Sequence, residues 1–374
     1  METRHPGSSS NTPTDRLTPF IPSDRQNREI MPTTSSFGSP LRRIRRALAL
    51  LSAGVAIAAV AACGSDDASS AQREVIDTLR IGVIGSSNVI AGPVGFAHSR
   101  GELLEAFAPL GVNNVEVFNF PNGPDLNQAL IGGRLDVASY GDTPALVARG
   151  SGLQTRLLSI NQFDNDAGVV AKDPSIRSLA DLAGKNIGVP KGSYIDRYLQ
   201  GALAEQGITA NLIHLYPADQ EAPLNSGEID GAALPGVIPS VALQTFEGKG
   251  FHLVDSVYRD HPDLAGTSVT VSSDQFLEKN PDFAATWQQL HASSVRYAKA
   301  NWEEYLQFEL GNSKAPEAAV RAAANPEGYS EEPFPARAVE LLTGTKAFLV
   351  EQGSIEEDFE LDSWLQRPAT GANS

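Results

Sequence analysis

Short apolar runs alternate with amphipathic segments from Thr78 onward, and this alternation restricts the chain to an open α/β architecture. Runs that predict strands lie at 78–84, 115–120, 135–140, 156–160, 168–171, 186–190, 212–216, 229–234, 251–254 and 268–271. Segments that predict helices lie at 102–107, 125–131, 144–149, 198–207 and 219–224, followed by two longer ones at 281–306 and 335–350. The pattern therefore predicts parallel strands joined by helical crossovers.

The charge is divided unevenly along the 374 residues, whose formal net charge is −16. The first 62 residues hold 8 Arg, no Lys and 4 acidic residues, whereas the remaining 312 hold 21 basic and 41 acidic residues. Phosphate contacts require clustered Lys and Arg, and a body this acidic is therefore not expected to bind nucleic acid. A body of 312 residues exceeds the usual size of one hydrophobic core, which predicts two lobes.

The N-terminal part has the layout of an export signal. Residues 1–40 are polar and predicted to be disordered. A basic cluster of Arg42, Arg43, Arg45 and Arg46 then precedes an apolar run from Ala47 to Ala62, which is too short for a membrane span but suits a signal peptide. Met1 and Met31 both remain possible starts, and both the general secretory and the twin-arginine export routes stay open.

The apolar run ends in Val60-Ala61-Ala62-Cys63, which resembles the bacterial lipobox. The resemblance implies cleavage after Ala62 and lipid attachment at Cys63, the single cysteine of the chain. Residues 63–76 would form a flexible tether, and residues 367–374 a frayed tail. We therefore expect an extracytoplasmic lipoprotein anchored to the cell membrane.

Three motifs, in order, resemble the substrate-binding proteins of nitrate, sulfonate and taurine ABC importers. The first is the run 120–144, with Ala129-Leu130-Ile131-Gly132-Gly133-Arg134-Leu135-Asp136 and then Gly141-Asp142-Thr143-Pro144. The second is 178–193, with Leu179-Ala180-Asp181-Leu182-Ala183-Gly184-Lys185, and the third is 217–233. Together these motifs cover roughly residues 78–300.

The resemblance implies a periplasmic-binding-protein type II fold, with a mixed sheet flanked by helices in each of two lobes and a ligand cleft between them. Lobe 1 is expected at 77–170 and 265–366, and lobe 2 at 171–264. It also implies a monomer that delivers a small organic anion or zwitterion to an ABC permease in the membrane. The alternatives are an enzyme of the pyrimidine-precursor type and a tethered sensor on the same fold.

One segment departs from the family pattern. Leu234-Pro235-Gly236 stands where the family often has an aromatic and an acidic residue before proline. The second lobe therefore lacks a usual stacking or hydrogen-bonding side chain, so the identity of the ligand stays open.

Three predicted strand-to-helix turns supply the candidate ligand-binding residues. They are Ser86, Ser87 and Asn88 in the first turn, Asp142 and Thr143 in the second, and Lys191, Gly192, Ser193 and Tyr194 in the third. Helix N-termini offer unpaired N–H groups and a partial positive charge to an oxyanion, and ligands of open sheets bind beside such turns. The alternative is that these polar residues only cap their helices.

Two charged residues in these turns allow different interpretations. Asp142 either caps its own helix or meets the ammonium group of a zwitterionic ligand. Lys191 either neutralises an anion or faces solvent. The sequence alone leaves both pairs of alternatives open.

The sequence holds no recognisable catalytic or metal-binding motif. Its six histidines lack metal-ligand spacing, and neither a nucleophile elbow nor a phosphate-binding glycine loop is present. With one cysteine, no intramolecular disulfide or multi-cysteine metal site can form. We therefore expect a non-enzymatic protein with no metal and no cofactor.

Anchoring through Cys63 is directly testable. The variant Cys63→Ala should lose lipid labelling and processing at this position, because the thiol supplies the atom that is lipidated. Metabolic labelling with a fatty acid and fractionation of the membranes measure both effects. Unchanged labelling and membrane retention in the variant would contradict the interpretation.

Overall fold

The computed structural model describes residues 76–236, 249–313 and 317–367. The predicted leader, Cys63 and residues 63–75 of the tether lie outside these ranges, as do residues 368–374 of the predicted tail. No helix within the described ranges is long and apolar enough to cross a membrane.

The described residues form two five-stranded mixed sheets with the same plan. The first sheet has the order β2-β1-β3-β10-β4, in which β1, β2 and β3 are parallel and β10 is antiparallel to both of its neighbours. Its strands are β1 (Thr78–Ile84), β2 (Asn114–Phe120), β3 (Val137–Gly141), β4 (Thr155–Asn165) and β10 (Gly266–Ser273).

The second sheet repeats this order as β7-β6-β8-β5-β9, with β6, β7 and β8 parallel and β5 antiparallel to its neighbours. Its strands are β5 (Ala167–Ala171), β6 (Asn186–Val189), β7 (Asn211–His214), β8 (Gly231–Pro235) and β9 (His252–Ser256). Each predicted strand therefore has a counterpart in the structure.

Helices flank both sheets, and the first sheet is covered on both of its faces. The helices are α1 (Gly92–Ser99), α2 (Glu102–Phe107), α3 (Gly123–Ile131), α4 (Asp142–Gly150), α5 (Tyr194–Glu205), α6 (Glu221–Ser226), α7 (Val257–Asp260), α8 (Asp274–Lys279), α9 (Phe283–Ala300), α10 (Trp302–Asn312), α11 (Glu317–Ala323), α12 (Ala336–Glu351) and α13 (Leu361–Trp364). Trp287 of α9 lies in the core on one face, and Leu126 of α3 and Leu342 of α12 lie in the core on the other. The core of the second sheet includes Tyr198 and Leu199 of α5.

The chain passes between the two sheets twice. The first passage lies at Asp166, between the end of β4 and the start of β5, whereas the predicted lobe boundary lies at residue 170. The second follows α7 and enters β10 at Gly266, close to the predicted boundary at residue 264. The strand β5 therefore belongs to the second sheet over its whole length.

Two predicted helical regions differ from the structure. The predicted helix at 281–306 is divided into α9 and α10 at Asn301, whose backbone leaves the helical region at φ −122° and ψ 49°. The first turn does not lead directly into a helix, because α1 starts only at Gly92, after the N-cap Ala91. Two glycines, Gly92 and Gly95, weaken the helical pattern of α1, which explains why this helix was not predicted.

Helices α3 and α4 approach so closely that only glycine fits at their contact. A Cβ atom at Gly123 would lie 2.2 Å from Cβ of Pro144. Gly123→Ala should therefore lower the free energy of unfolding by about 2 kcal/mol through overpacking. Gly344→Ala is the matched control, since its new Cβ in α12 meets open space and should stabilise the helix by about 0.5–1 kcal/mol. Denaturant unfolding measures both, and equal effects would contradict the packing argument.

Candidate functional site

A cavity of about 350 Å³ lies between the carboxyl ends of the parallel strands of both sheets. The first sheet contributes Ile84, Ser139 and Gly141 from the ends of β1 and β3, and the second contributes the turns after β6 and β7. We call this space the cleft cavity. Of the described residues that line it, Lys191 is the one Lys or Arg, and none is Asp or Glu. An anionic ligand therefore meets no opposing carboxylate on this part of the wall.

The third predicted turn lines the cleft cavity with Lys191, Gly192, Ser193 and Tyr194. Gly192 occupies the left-handed region at φ +78°, which a residue with a side chain adopts only with strain. Ser193 is the N-cap of α5, and its Oγ accepts a hydrogen bond from the amide of Asp196 at 3.3 Å. The Ser193 hydroxyl proton remains available to a ligand while the oxygen caps the helix.

The start of α5 also brings backbone donors to the cleft cavity. Tyr194 and Ile195 occupy the first turn and line the cavity, and amides in a first turn have no intrahelical acceptor. The amide of Gly192 is already used, because it donates to Oδ2 of Asp196 at 2.9 Å. The donors on offer to an oxyanion are therefore the first-turn amides and the Ser193 hydroxyl.

Tyr194 joins this turn to both passages between the sheets. Its hydroxyl donates to the carbonyl of Asp166 at 3.2 Å, and its ring packs so tightly on Gly266 that a Cβ there would lie 2.4 Å from Cδ2. Burial is the main cause that raises the pKa of this phenol. Tyr194 therefore stays neutral and presents a fixed, uncharged wall to the cavity.

The second predicted turn lies at the start of α4, but its two polar residues are used within the protein. Asp142 is fully buried, and its Oδ2 accepts from the amide of Thr267 at 2.9 Å and from the Thr267 hydroxyl at 3.0 Å. Its Oδ1 accepts from the Thr143 amide at 2.5 Å and from the Thr143 hydroxyl at 3.0 Å. The carboxylate thus fixes α4 to β10, and neither Asp142 nor Thr143 lines the cleft cavity.

The first predicted turn is an exposed loop. Ser86, Ser87 and Asn88 are all exposed, and none of them lines the cleft cavity. The side chain of Asn88 accepts a hydrogen bond from the amide of Asn119 at 3.2 Å, which ties the loop to β2. The three residues are also separated by Val89, Ile90 and Ala91 from the first residue of α1.

Several polar residues line the cleft cavity without having been singled out in the sequence: Asn122, Asn161, Gln162, Asn165, Tyr216 and Tyr329. Asn161 is held by Ser159 and Thr270, whose hydroxyls lie 2.9 and 3.0 Å from its Oδ1. The strand β4 continues to Asn165, beyond the predicted end at residue 160. The run of polar residues after Ile160 was the available signal, since a polar end on an otherwise apolar strand often faces a cleft.

Tyr329, one of the tyrosines on the cavity wall, is backed by Tyr305 and the carboxyl group of Glu309. The hydroxyl of Tyr329 lies 2.9 Å from that of Tyr305, and both phenols have raised pKa values because they are buried. Burial likewise raises the pKa of Glu309, next to Tyr305.

Within the described ranges, no group of three or more His, Cys, Asp or Glu side chains is arranged to hold a metal ion.

Sequence comparison identifies the family. The family model described as NMT1/THI5 like matches residues 111–305, which is more than half of the chain. A protein of Escherichia coli (strain K12) that is named as an aliphatic sulfonates-binding protein is 29% identical over 199 residues, which cover 51% of this chain and 60% of that protein. The chain therefore spans less than two thirds of the length of this relative.

Comparison with solved structures confirms the predicted periplasmic-binding-protein fold. The alkanesulfonate-binding protein SsuA from Xanthomonas axonopodis pv. citri bound to MOPS superposes with a TM-score of 0.62 at 20% identity, covering 78% of this chain and 99% of that chain. The desulfurization enzyme DSZB superposes with a TM-score of 0.57 at 19% identity, covering 78% of this chain and 96% of that chain. At these identities the likeness concerns the fold alone.

The buried position of Asp142 leads to a stability prediction. Asp142→Asn replaces one accepting oxygen by an amide that faces two donors, and it leaves the buried Arg197 without its nearby negative charge. We expect the free energy of unfolding to fall by about 3 kcal/mol. Asp219→Asn, at an exposed position, is the control and should change it by less than about 0.5 kcal/mol. Equal unfolding midpoints for Asp142→Asn and the parent protein would show that the network has no stabilising role.

Proposed function

Because the chain belongs to the NMT1/THI5-like family, we propose that it is a solute-binding protein that captures a small organic anion in the cleft cavity. The observation that carries the proposal is the start of α5. There the Ser193 hydroxyl, two first-turn amides and Lys191 line a cavity whose described walls hold no carboxylate. Such a turn supplies hydrogen-bond donors and a partial positive charge to an oxyanion.

A sulfonate is the anion that the proposal favours. The relative from Escherichia coli is named for aliphatic sulfonates, and the structure from Xanthomonas axonopodis pv. citri was solved with MOPS. The cavity also offers surfaces for an apolar body, since Ile84, Pro121, Tyr194 and Tyr329 are among its lining residues. A sulfonate with an attached alkyl or ring group would place its anionic group against the donors at the start of α5 and its apolar body against these side chains.

A zwitterionic ligand such as taurine fits the described wall less well. An ammonium group taken out of water requires a carboxylate or several acceptors. Asp142, the acidic residue in the predicted turns, already accepts four hydrogen bonds from Thr143 and Thr267. We therefore propose an anion without an ammonium group, and place nitrate after the organic sulfonates because nitrate would leave the apolar wall unfilled.

The setting of this binding activity is proposed from the sequence features and the relatives together. The protein would lie outside the cytoplasm, anchored to the cell membrane through a lipid on Cys63, with residues 63–76 as tether. As a monomer it would deliver its ligand to an ABC permease. The strands of lobe 1 and lobe 2 would close on the ligand by rotation about the two passages at Asp166 and Gly266.

Catalysis is the alternative, since DSZB, which shares the fold, is described as a desulfurization enzyme. We propose binding without turnover. The support is the naming of the sequence relatives as binding proteins. The cysteine of this chain is Cys63, which lies before the described ranges and is assigned to lipid attachment.

Calorimetric titration of the full-length chain with 1-hexanesulfonate tests the proposal. We expect binding to the parent protein and about tenfold to a hundredfold weaker binding by Ser193→Ala, because a hydrogen bond to a charged group contributes roughly 1.5–3 kcal/mol. Ser87→Ala is the matched control, since Ser87 is exposed and outside the cavity lining, and its affinity should equal that of the parent. Taurine should bind at least about tenfold more weakly than hexanesulfonate.

Three results would contradict the proposal in different ways. If the protein bound neither hexanesulfonate nor other sulfonates, sulfonates would not be its ligands. Equal affinity in Ser193→Ala and the parent would mean that this serine only caps α5. Release of sulfite from a bound sulfonate, at a rate lost in Ser193→Ala, would make the protein an enzyme.

A further inference from the structure

Among the described residues, a side-chain hydrogen bond joins the two sheets at one side of the cleft cavity, between the ends of β2 and β7, which we call the mouth. The amide Nδ2 of Asn122 donates to the hydroxyl oxygen of Tyr216 at 2.8 Å, and both residues line the cavity. Asn122 follows β2 of the first sheet, and Tyr216 follows β7 of the second. We propose that this bond is a latch that holds the cleft closed and that ligand entry and release require it to break.

The strand order places the latch on the side of the cleft that moves most. β2 and β7 are edge strands at corresponding ends of their sheets. Both passages between the sheets involve the strands at the other end, since β4 leads into β5 and α7 leads into β10. Rotation about those passages therefore separates Asn122 from Tyr216 by more than it separates residues near the hinge.

The orientation of the Asn122 side chain is fixed by its role as the N-cap of α3. Its Oδ1 caps α3 by accepting from the amide of Asp125 at 2.8 Å, which fixes the orientation of the side-chain amide. One N–H of Nδ2 then donates to Oδ2 of Asp125 at 2.9 Å, and the other points to Tyr216. Little side-chain entropy remains to be lost when the latch forms.

The partner side chain is linked to the ligand turn. The ring of Tyr216 meets the ring of His214 edge-on, with centroids 5.0 Å apart. Nδ1 of His214 in turn accepts from the backbone amide of Lys191 at 3.1 Å, which places the proton of a neutral ring on Nε2. A movement of the Lys191–Ser193 turn therefore moves His214 and, through the ring contact, Tyr216. Binding of a ligand at the turn is thus coupled to closure of the mouth.

The hinge side, by contrast, is tied by several contacts that involve charged groups. Arg337 of α12 pairs with Asp164 at 3.3 Å before the first passage and donates to the carbonyl of Pro262 at 3.2 Å before the second. Arg197 donates to the carbonyls of Leu264 and Ala265 at 2.8 and 2.9 Å. Opening thus leaves these contacts in place and breaks a neutral bond whose two partners water can solvate.

The experiment measures opening directly and without ligand, so its outcome does not depend on the proposed sulfonate. Spin labels are attached to cysteines at the exposed positions Gln128 on α3 and Ala222 on α6, in a full-length chain that carries Cys63→Ser. Pulsed dipolar spectroscopy then gives the distribution of distances between the two lobes. Tyr216→Phe removes only the hydroxyl, and Asn122→Ser keeps an N-cap for α3 while its shorter side chain cannot reach Tyr216.

We expect both variants to raise the open-to-closed ratio about fivefold, which corresponds to about 1 kcal/mol for one neutral hydrogen bond. The double variant should open no further than either single variant, because both remove the same contact. Tyr258→Phe is the matched control, since its hydroxyl accepts from Asn325 at 3.3 Å on the hinge side and its loss should leave the distances unchanged.

Three outcomes overturn the latch. Parent-like distances in either folded single variant would show that the bond does not hold the cleft closed. Additive opening in the double variant would show that the two residues act separately. Equal opening in Tyr258→Phe would show that any lost tyrosine hydroxyl loosens the lobes. Circular dichroism confirms that each variant is folded before its distances are compared.

Discussion

The buried carboxylate of Asp142 is the interaction on which the arrangement of the two sheets depends. It accepts hydrogen bonds from Thr143 at the start of α4 and from Thr267 at the start of β10. β10 enters the first sheet from the second, so this contact fixes the returning strand against a helix of the first sheet. Arg197 of α5 holds the residues just before it, through the carbonyls of Leu264 and Ala265. These two buried groups therefore fix the strand that returns from the second sheet and the residues just before it.

This arrangement decides which helix start can serve a ligand. The start of α4 is filled by its own Asp142, and the exposed first turn is separated from α1 by three residues. The start of α5 retains free amides and Ser193 on the cavity wall. Three turns that look alike in sequence therefore differ in what they can bind, because the surrounding tertiary contacts use their donors differently.

Much of the fold could be predicted from apolar runs, because strands buried on both faces need little else to identify them. The second half of β4 could not, since Asn161, Gln162 and Asn165 face the cavity and interrupt the apolar pattern. The size of the body predicted two lobes, and the family resemblance supplied the type of fold, which the comparisons confirm. The burial of Asp142 and Thr143 could not be predicted, because the donors come from Thr267, 125 residues further along the chain.

The return of β10 to the first sheet has a consequence for how the chain folds. β4 pairs along its length with β10, which follows it by about 100 residues, and β5 pairs with β8 and β9, which also come later. The second sheet comes from one continuous stretch, residues 167–256, whereas the first sheet needs β10 from beyond that stretch, and the contacts that complete it are long in sequence, which slows folding. The first sheet is thus completed only by chain that follows the whole of the second sheet, and a chain cut short before β10 would leave one edge of β3 and the whole of β4 without a strand partner.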